Sequence, residues 1–518
     1  MKRSVLLLAF LTLLVVAGGV PVASAEDVTV ALSSLSTETL DPVLGGHVVK
    51  FYLDQIFDYL VGVTADGQLS ADGGIATRWE PSPDHKRWTF QLRRGVKFHN
   101  GDDLTSDDVK FSLLRATGKR STTGYAEPLR VLIKDIETPA PDRVVIVTKE
   151  PTSIIPQYLS RGLATEGMIV PKTYLEARGD DAFARSPVGS GPYRFVEQVM
   201  GSHIKLEAVA SHWRLGTPKY RTLTFRIVPE ETTRIALLRR GEADILEVSR
   251  ERVKELQGAG VPIVTRRQDA HVDFWWVLPW NAPIRDKRVR EALNLAINRA
   301  ELIESVFAGM GEPGAVPFAM ATAMRDVKFR ITPEHRYPYD PARAKRLLAE
   351  AGYPNGFPME LYAYQLPGLP EGRAMAEALA GYWHKVGVQT SLVPVDYLAF
   401  RKKWFDRSAP GALGYYNQSN RDWLGTFAMI DKWTNPTQKS ASINDPELDR
   451  LVGAVLAETD REKVNNLMRS IFQRLRSEHL GIPLVYLHSA YATSKKISKW
   501  NPGSVMYDLN IDELVRQR

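Results

Sequence analysis

The chain has 518 residues, 44% of them hydrophobic, and its 67 Lys and Arg against 60 Asp and Glu leave a mild formal excess of +7. The basic clusters at 239–240, 266–267 and 401–403 are short and scattered; they are typical of solvated surfaces rather than of a phosphate-tracking stripe, and we exclude nucleic-acid binding. The absence of cysteine excludes disulfides, thiolate metal sites, a cysteine nucleophile and a lipid anchor on cysteine.

The N-terminus has the pattern of a secretory signal peptide. Two basic residues precede an apolar run at 5–16, and the small residues at 23–25 form an A-x-A cleavage site. The run is shorter than the ~20 residues that span a bilayer, so a cleaved signal over residues 1–25 is favoured over an uncleaved anchor. We expect a protein that is free in the periplasm of a Gram-negative cell and is not a lipoprotein.

Alternating side chains predict strands early in the chain. Residues 28–32 begin the mature chain as a strand, and the apolar residues of 88–92 alternate with polar ones in another. After a turn at 100–101, Thr105 is placed to cap a helix, with Asp108 three positions later as its reciprocal partner.

Later segments predict helices by their caps and their apolar stripes. The segment from Asp286 to Ile297 places its apolar residues on one helical stripe. Asp340 is the expected N-cap of a second helix, with Pro341 at the first helical position, and Asp445–Pro446 begins a third. Gly352 is the expected C-terminal stop of the second helix, and a fourth amphipathic helix covers 464–475. Since strand and helix patterns alternate and no fixed-period repeat occurs, the predicted fold class is α/β.

Several segments resemble, in the same order, the wording of one known family. They are Leu40–Pro42, Ile56–Leu60, Trp88–Ser112, Pro187–Tyr193, Thr233–Ile245, Asn281–Leu293 and Tyr339–Phe357. The chain is therefore identified as a member of the family 5 extracellular solute-binding proteins, which are the dipeptide, oligopeptide and nickel receptors of ABC importers. The resemblance implies that the protein carries a small solute, is not an enzyme and needs no cofactor.

The resemblance also implies a layout, the periplasmic-binding-protein type II-like fold with two lobes, a hinge and an inserted extra domain. The expected division is lobe I at 26–47, 186–268 and 488–518, the inserted domain at 48–185 and lobe II at 269–487. A solute that touches both lobes would favour the closed form. A membrane permease and its ATPase partner would recognise that form, and the receptor itself is expected to be a monomer.

The ligand contacts are expected in a loop late in lobe II. Peptide-binding members pair the amino group of the ligand with an aspartate in a "GDxGDP"-like loop, and this wording is missing here. The corresponding stretch contains Tyr415, Tyr416, Asn417, Arg421, Asp422 and Trp423. Asp422 is the only acid there, whereas Arg421 could pair with a carboxylate through its planar fork. An exposed loop pair without function is the alternative, and both peptide-like and carboxylate-bearing or opine-like solutes stay open.

Aromatic residues crowd the first expected crossing between the lobes, near 273–280. Trp275 and Trp276 are neighbours there, and strand alternation lets at most one of them face a solute; core packing is the alternative for each. His47 is a further candidate, although lone histidines are usually structural. No H-x-x-x-H or H-E-x-x-H pair occurs, so no metal site is expected.

Other functions are less favoured. An exported hydrolase would need a nucleophile, a base and an orienting group, and no such set can be assembled from recognisable motifs. Gly189–Ser190–Gly191 is not a nucleophile elbow and is expected to form a tight backbone turn. A periplasmic chaperone would bind unfolded chains broadly, not one solute. Within the receptor class, a peptide or peptide-like solute leads, and an opine-like compound, another carboxylate, a sugar or a metal chelate is the alternative.

Overall fold

The structure is a computed structural model that describes residues 27–64, 68–276, 283–317, 327–365, 369–406, 408, 413–419, 423–435, 441–502 and 509–516. Within these ranges the side chains at 47, 267–276, 413–419, 423–425, 428–429 and 432 are not described. The predicted signal peptide and two predicted site residues, Arg421 and Asp422, lie outside the described residues. Over the ranges given, none of the helices combines the length and apolarity that crossing a bilayer requires.

Strands and helices alternate along the described chain, as the α/β prediction requires. The strands are β1 (Val28–Leu32), β2 (Gly62–Val63), β3 (Leu69–Ser70), β4 (Ala76–Pro81), β5 (Arg87–Leu92), β6 (Ile133–Ala140), β7 (Arg143–Thr148), β8 (Tyr193–Val199), β9 (His203–Ala208), β10 (Thr222–Ile227), β11 (Ile245–Glu247), β12 (Ile263–Trp276), β13 (Gly311–Pro313), β14 (Pro358–Ala363), β15 (Gln389–Pro394), β16 (Leu413–Ser419), β17 (Ile482–Thr493), β18 (Ile497–Lys499) and β19 (Val515–Arg516).

The α-helices cover the sheets. They are α1 (Lys50–Ile56), α2 (Ser106–Ala116), α3 (Ala126–Leu132), α4 (Ile155–Tyr158), α5 (Lys172–Arg178), α6 (Asp180–Arg185), α7 (Glu231–Arg239), α8 (Val253–Gly258), α9 (Lys287–Leu295), α10 (Arg299–Phe307), α11 (Pro341–Glu350), α12 (Gly372–His384), α13 (Tyr397–Phe405), α14 (Trp423–Thr434), α15 (Pro446–Ala457) and α16 (Arg461–Ser477).

One large sheet has the order β15-β14-β16-β12-β17-β11-β1-β10-β9-β8, with β13 paired to β17. β12 and β17 are the longest strands in the described ranges and pair antiparallel at its centre. The first half of β12 pairs with the end of β17 that also pairs with β11. The second half of β12 pairs with β16 on its other side. Register shifts interrupt the β12–β17 ladder between Arg267 and Ala270 and between Val272 and Asp273. These two strands therefore join two groups of shorter strands.

A separate antiparallel sheet has the order β4-β5-β7-β6. Trp88, Phe90 and Leu92 are buried along β5 while the residues between them are less so, which confirms the predicted half-buried strand. Helix α2 follows Thr105, whose backbone N–H donates to the Asp108 carboxylate at 2.9 Å, as the predicted capping box requires.

The predicted helix boundaries are confirmed. The carboxylates of Asp286, Asp340 and Asp445 each accept a backbone N–H at 2.8 Å at the start of α9, α11 and α15. Gly352 follows α11 with a φ of +92°, a left-handed conformation that favours glycine. The stripe of α16 is buried at Val464, Met468, Ile471, Phe472 and Leu475, while Leu467 is partly buried.

The Gly189–Ser190–Gly191 segment lies against the end of α1. A Cβ atom at Gly189 would lie 2.0 Å from the carbonyl oxygen of Ile56, and one at Gly191 would lie 2.6 Å from the carbonyl carbon of the same residue. The Gly191 N–H donates to the Ile56 carbonyl at 2.9 Å. Both glycines are needed because two backbones approach closely here, and the chain also bends at Ser190 and Gly191.

Candidate functional site

Strands β12 and β16 bring two groups of predicted site residues into neighbouring positions. Trp275 and Trp276 pair with the first two residues of β16. Tyr415, Tyr416 and Asn417 follow on β16, opposite the three residues of β12 that precede Trp275. The backbone therefore places these five residues together.

The remaining predicted site residues are placed only in part. Trp423 is the first residue of α14, four residues beyond the end of β16. His47 begins a short 3-10 turn, His47–Val49, in front of α1, and no strand pairing joins that turn to β12 or β16. Ligand contact by these residues and by Arg421 and Asp422 stays a prediction. Among the described residues, no group of three or more His, Asp and Glu side chains is placed to hold a metal ion.

A solvent-open cavity of about 560 Å³ lies between the segment after β1 and helix α13. Its size is within the roughly 300–1,000 Å³ of small-molecule sites. Its lining combines hydroxyl, charged and apolar groups, from Thr37, Thr39, Leu44, Thr122, Leu398, Arg401, Lys402, Phe405 and Asp406. These residues come from segments that the sequence assigns to lobe I, to the inserted domain and to lobe II.

The first wall of this cavity has a strained backbone. Ser36 and Glu38 have φ angles of +61° and +51°, which non-glycine residues seldom adopt. The β8–β9 hairpin holds this conformation, because the Gln198 amide donates to the Glu38 carbonyl at 2.6 Å and the Gly201 N–H donates to the Glu38 carboxylate at 2.8 Å. The hydroxyl of Thr37 has no hydrogen-bond partner in the described part of the chain. This hydroxyl is also buried, so the strained segment contains an unsatisfied polar atom.

The second wall is one side of α13. Asp396 caps this helix by accepting the backbone N–H of Ala399 at 2.9 Å. The side that packs into the core consists of Tyr397, Phe400 and Trp404. Trp404 stacks on Trp433 with ring centroids 4.5 Å apart, so Trp433 belongs to the core. Helical spacing then turns Leu398, Arg401, Lys402 and Phe405 toward the cavity.

Arg401 reaches across the edge of the cavity. Its guanidinium donates to the carbonyl of Thr122 and lies 4.9 Å from the ring of Phe405. Thr122 is fixed in turn, since its N–H donates to Val43 O at 2.9 Å and its hydroxyl to Leu44 O at 3.3 Å. Burial lowers the pKa of the Arg401 guanidinium. The cation has therefore lost part of its hydration.

The interpretation of residues 401–403 as a solvated cluster is wrong for Arg401. Lys403 is exposed, as predicted, but Arg401 is half-buried and lines the cavity. The run of basic residues by itself does not distinguish Arg401 from Lys403. The helical spacing from the buried Phe400 and Trp404 could have indicated that Arg401 lies beside the apolar stripe.

A buried cluster of tyrosines and carboxylates joins α4 to α14. The Tyr158 hydroxyl donates to Asp431 at 3.3 Å, and the Tyr125 N–H donates to Glu166 at 2.8 Å. The two tyrosine rings lie 5.5 Å apart. Burial, followed by the nearby carboxylates, raises the pKa of both tyrosines well above the usual value, so they remain hydrogen-bond donors. Glu166 also partly opposes the lowering of the pKa of Arg401, which links this cluster to the cavity.

In this fold, two groups of strands are joined by two long central strands. A cavity of ligand size lies between segments that flank the two groups. Such an arrangement is typical of ligand-binding proteins. The chain is similar over 95% of its length to the whole of a solved dipeptide-binding protein from Pseudoalteromonas sp. SM9913 in complex with Met-Leu, with a TM-score of 0.83 and 20% identity. At that identity the likeness shows the fold alone. It confirms the predicted periplasmic-binding-protein type II fold.

The family follows from the sequence comparison. A family model described as bacterial extracellular solute-binding proteins, family 5 Middle, matches residues 71–438, and the chain therefore belongs to this family. Heme-binding protein A of Haemophilus influenzae is 27% identical over 491 residues, which cover 88% of this chain and 86% of the relative. Glutathione-binding protein GsiB of Pectobacterium atrosepticum is 28% identical over 498 residues, which cover 92% of each chain. The relatives are solute-binding proteins, as the resemblance predicted.

Proposed function

We propose that the protein is the periplasmic receptor of an ABC importer, which captures a peptide or peptide-like small solute between two lobes and delivers it to the permease. The observation that carries this proposal is the family match over residues 71–438. The cavity supports it, because its walls come from segments assigned to different lobes. In this role the protein binds and releases its solute without converting it.

The proposed lobes follow the predicted division, with lobe I at 26–47, 186–268 and 488–518, the inserted domain at 48–185 and lobe II at 269–487. The sheet order supports this division. Strands β1, β8, β9, β10 and β11 lie on one side of the β12–β17 pair, and β14, β15 and β16 lie on the other. The register shifts in that pair, at 267–270 and 272–273, are near the proposed crossing and would allow the strands to bend there.

Contacts across the proposed division support a closed arrangement. Arg250 and Glu371 form a buried ion pair in which Nη1 lies 2.7 Å from the carboxylate. Tyr158 and Asp431 join the inserted domain to lobe II, as does the hydrogen bond of Arg401 described above. A solute that bridges the same surfaces would add its contacts only in the closed form and so shift the population toward it. The permease and its ATPase would recognise that form.

The solute class is the finer part of the proposal. A peptide or peptide-like compound is favoured because relatives at 27–28% identity over 92% of this chain are named glutathione-binding proteins, and glutathione is a tripeptide. A non-peptide solute is the second candidate, because another relative of similar identity is named a heme-binding protein. Both solute classes would occupy the same cleft and would differ in the lining groups that they contact.

The cellular setting is proposed from the same family. A signal peptide over residues 1–25 would be removed on export, and the absence of cysteine leaves no residue for a lipid anchor. The mature receptor would then diffuse as a monomer in the periplasm and meet the permease and ATPase complex at the inner membrane.

Thermal-shift screening of the purified mature chain tests the proposal. We expect one class among peptides, heme, opines, sugars and organic acids to raise the melting temperature, by an amount that grows with ligand concentration as RT ln(1 + [L]/Kd). Mass spectrometry of the bound compound should show it unchanged. A chemically altered product, or no stabilisation by any of these classes, would contradict a receptor function.

A further inference from the structure

The charges that line the cavity do not cancel. Lys402 forms a salt bridge with Asp406, the acidic residue of the lining. Arg401 has no such partner: within the described ranges, no carboxylate forms a salt bridge with it, and its hydrogen bond goes to the neutral carbonyl of Thr122. Among the residues that the structure describes, the Arg401 guanidinium in the cavity is therefore not matched by a neighbouring anion.

The contacts of the Arg401 guanidinium replace only part of the hydration that it has lost on burial. Burial lowers its pKa, while Tyr397 and the Glu166 carboxylate oppose that effect. The ring of Phe405, 4.9 Å away, adds a cation–π contact. A desolvated cation gains most from an anion that supplies both charge and hydrogen bonds, and a carboxylate matches the planar fork of Arg.

The remaining lining suits a molecule that is not only an anion. Thr37 and Thr39 add polar side chains to the lining, and the Thr37 hydroxyl itself is buried. Leu398 is 48% exposed, and it lies in the cavity with Leu44 and Phe405. A ligand that covers these apolar groups would remove them from water.

We propose that Arg401 is the anion anchor of the solute site, which binds a carboxylate of a solute whose apolar part covers Leu398 and Phe405. This inference rests on the proposed receptor function and adds the charge class of the solute to it. It also assigns the carboxylate to a residue different from Arg421, the one that the sequence suggests.

The absence of native cysteine allows a direct test that needs no knowledge of the solute. In a Leu398→Cys variant of the mature chain, the only thiol lies in the cavity. Its reaction rate is measured with a sulfonate-bearing and with a trimethylammonium-bearing methanethiosulfonate reagent of similar size. The matched reference is Val131→Cys, at a residue that is also 48% exposed but does not line the cavity.

We expect the sulfonate reagent to be preferred at position 398 over position 131 by roughly threefold or more, because a focused positive potential concentrates anions. Adding Arg401→Gln should abolish this preference, whereas adding Lys403→Gln, at an exposed position of the same helix that does not line the cavity, should leave it unchanged. An equal rate ratio at the two thiols, or a preference that survives Arg401→Gln, would overturn the inference. Circular dichroism and melting of each variant show that it is folded.

Solute binding then separates this inference from the receptor function. Melting shifts are compared for a tripeptide library with free C-terminal carboxylates, the same library as C-terminal amides, and succinate. The anchor is supported if the acids stabilise the protein and the amides do not, and if this difference is lost in Arg401→Gln but kept in Lys403→Gln. If succinate stabilises the protein as well, the inference extends to organic acids. Equal stabilisation by acids and amides overturns the anchor but keeps the receptor. No stabilisation by any of these or by the wider solute panel overturns both.

Discussion

Replacing Glu371 with Gln removes the counter-ion of a buried guanidinium. Arg250 is 1% exposed and Glu371 is 6% exposed. The Glu371 carboxylate accepts one hydrogen bond from Nη1 and one from the backbone N–H of Arg250, at 2.7 Å each. The glutamine side chain has nearly the same shape and keeps one oxygen for the backbone N–H. The variant therefore isolates the loss of the negative charge.

The cost can be worked out from the surroundings of the pair. Burial raises the pKa of Glu371 in spite of Arg250, so desolvation of the carboxylate outweighs its attraction to the cation. The intact pair therefore contributes little, but an uncompensated buried charge costs about 3–5 kcal/mol. We expect about 3 kcal/mol for Glu371→Gln, since Arg250 keeps its hydrogen bond to His488 O at 2.8 Å and its contact with the Phe307 ring.

Urea unfolding at pH 7, followed by tryptophan fluorescence, measures this loss. The matched control is Glu377→Gln in α12, the helix that begins directly after Glu371. The ion pair of Glu377 with Arg373 is largely exposed and should contribute under about 1 kcal/mol. The double variant Arg250→Met/Glu371→Gln should be more stable than Glu371→Gln alone, because neither charge of this buried pair remains. A single variant as stable as the control, or a double variant less stable than the single one, would refute the reasoning.

Two further predictions concern the segment around Gly189. Gly189→Ala should lower the free energy of unfolding by about 3 kcal/mol or more, because the new Cβ would lie 2.0 Å from Ile56 O. The control Gly258→Ala has open space around the new Cβ and should change the free energy of unfolding by under about 1 kcal/mol; equal melting temperatures of the two variants would contradict this. Burial lowers the pKa of His99 to about 4 from 6.5, so the unfolded chain takes up a proton before the folded one, and stability that is present above pH 6.5 is lost as the pH falls toward 4. At pH 5 this loss is about 2 kcal/mol, and a His99→Gln variant that declined as steeply as the parent between pH 7 and 5 would disprove the assignment.

The helix boundaries were predictable because their causes are local. At Asp286, Asp340 and Asp445 the capping carboxylate and the N–H that it binds are two or three residues apart. A side chain that reaches only its own turn can be recognised from the order of residues alone. The same holds for Gly352, whose left-handed φ follows directly from its place at a helix end.

The cavity could not be predicted in this way because its parts are distant in the chain. Arg401 meets Thr122 across 279 positions, and its burial is decided by that contact rather than by its basic neighbours. Ser36 and Glu38 adopt left-handed conformations without glycine or asparagine to indicate them, since the β8–β9 hairpin imposes the strain through Gln198. Composition and periodicity carry no record of such long-range constraints.

The two arginines offered for a carboxylate can be separated by the same ligand pairs. Arg421 is a candidate because it lies in the stretch that corresponds to the ligand loop of peptide-binding members, and it is outside the described residues. Arg401 is chosen because it is desolvated, lines the cavity and lacks a salt-bridge partner among the residues that the structure describes. If Arg401 binds the carboxylate, Arg401→Gln should abolish the preference for free acids over amides, whereas Arg421→Gln should keep it. The opposite result would return the anion site to the loop after β16 and leave the cavity at α13 without a role in recognition.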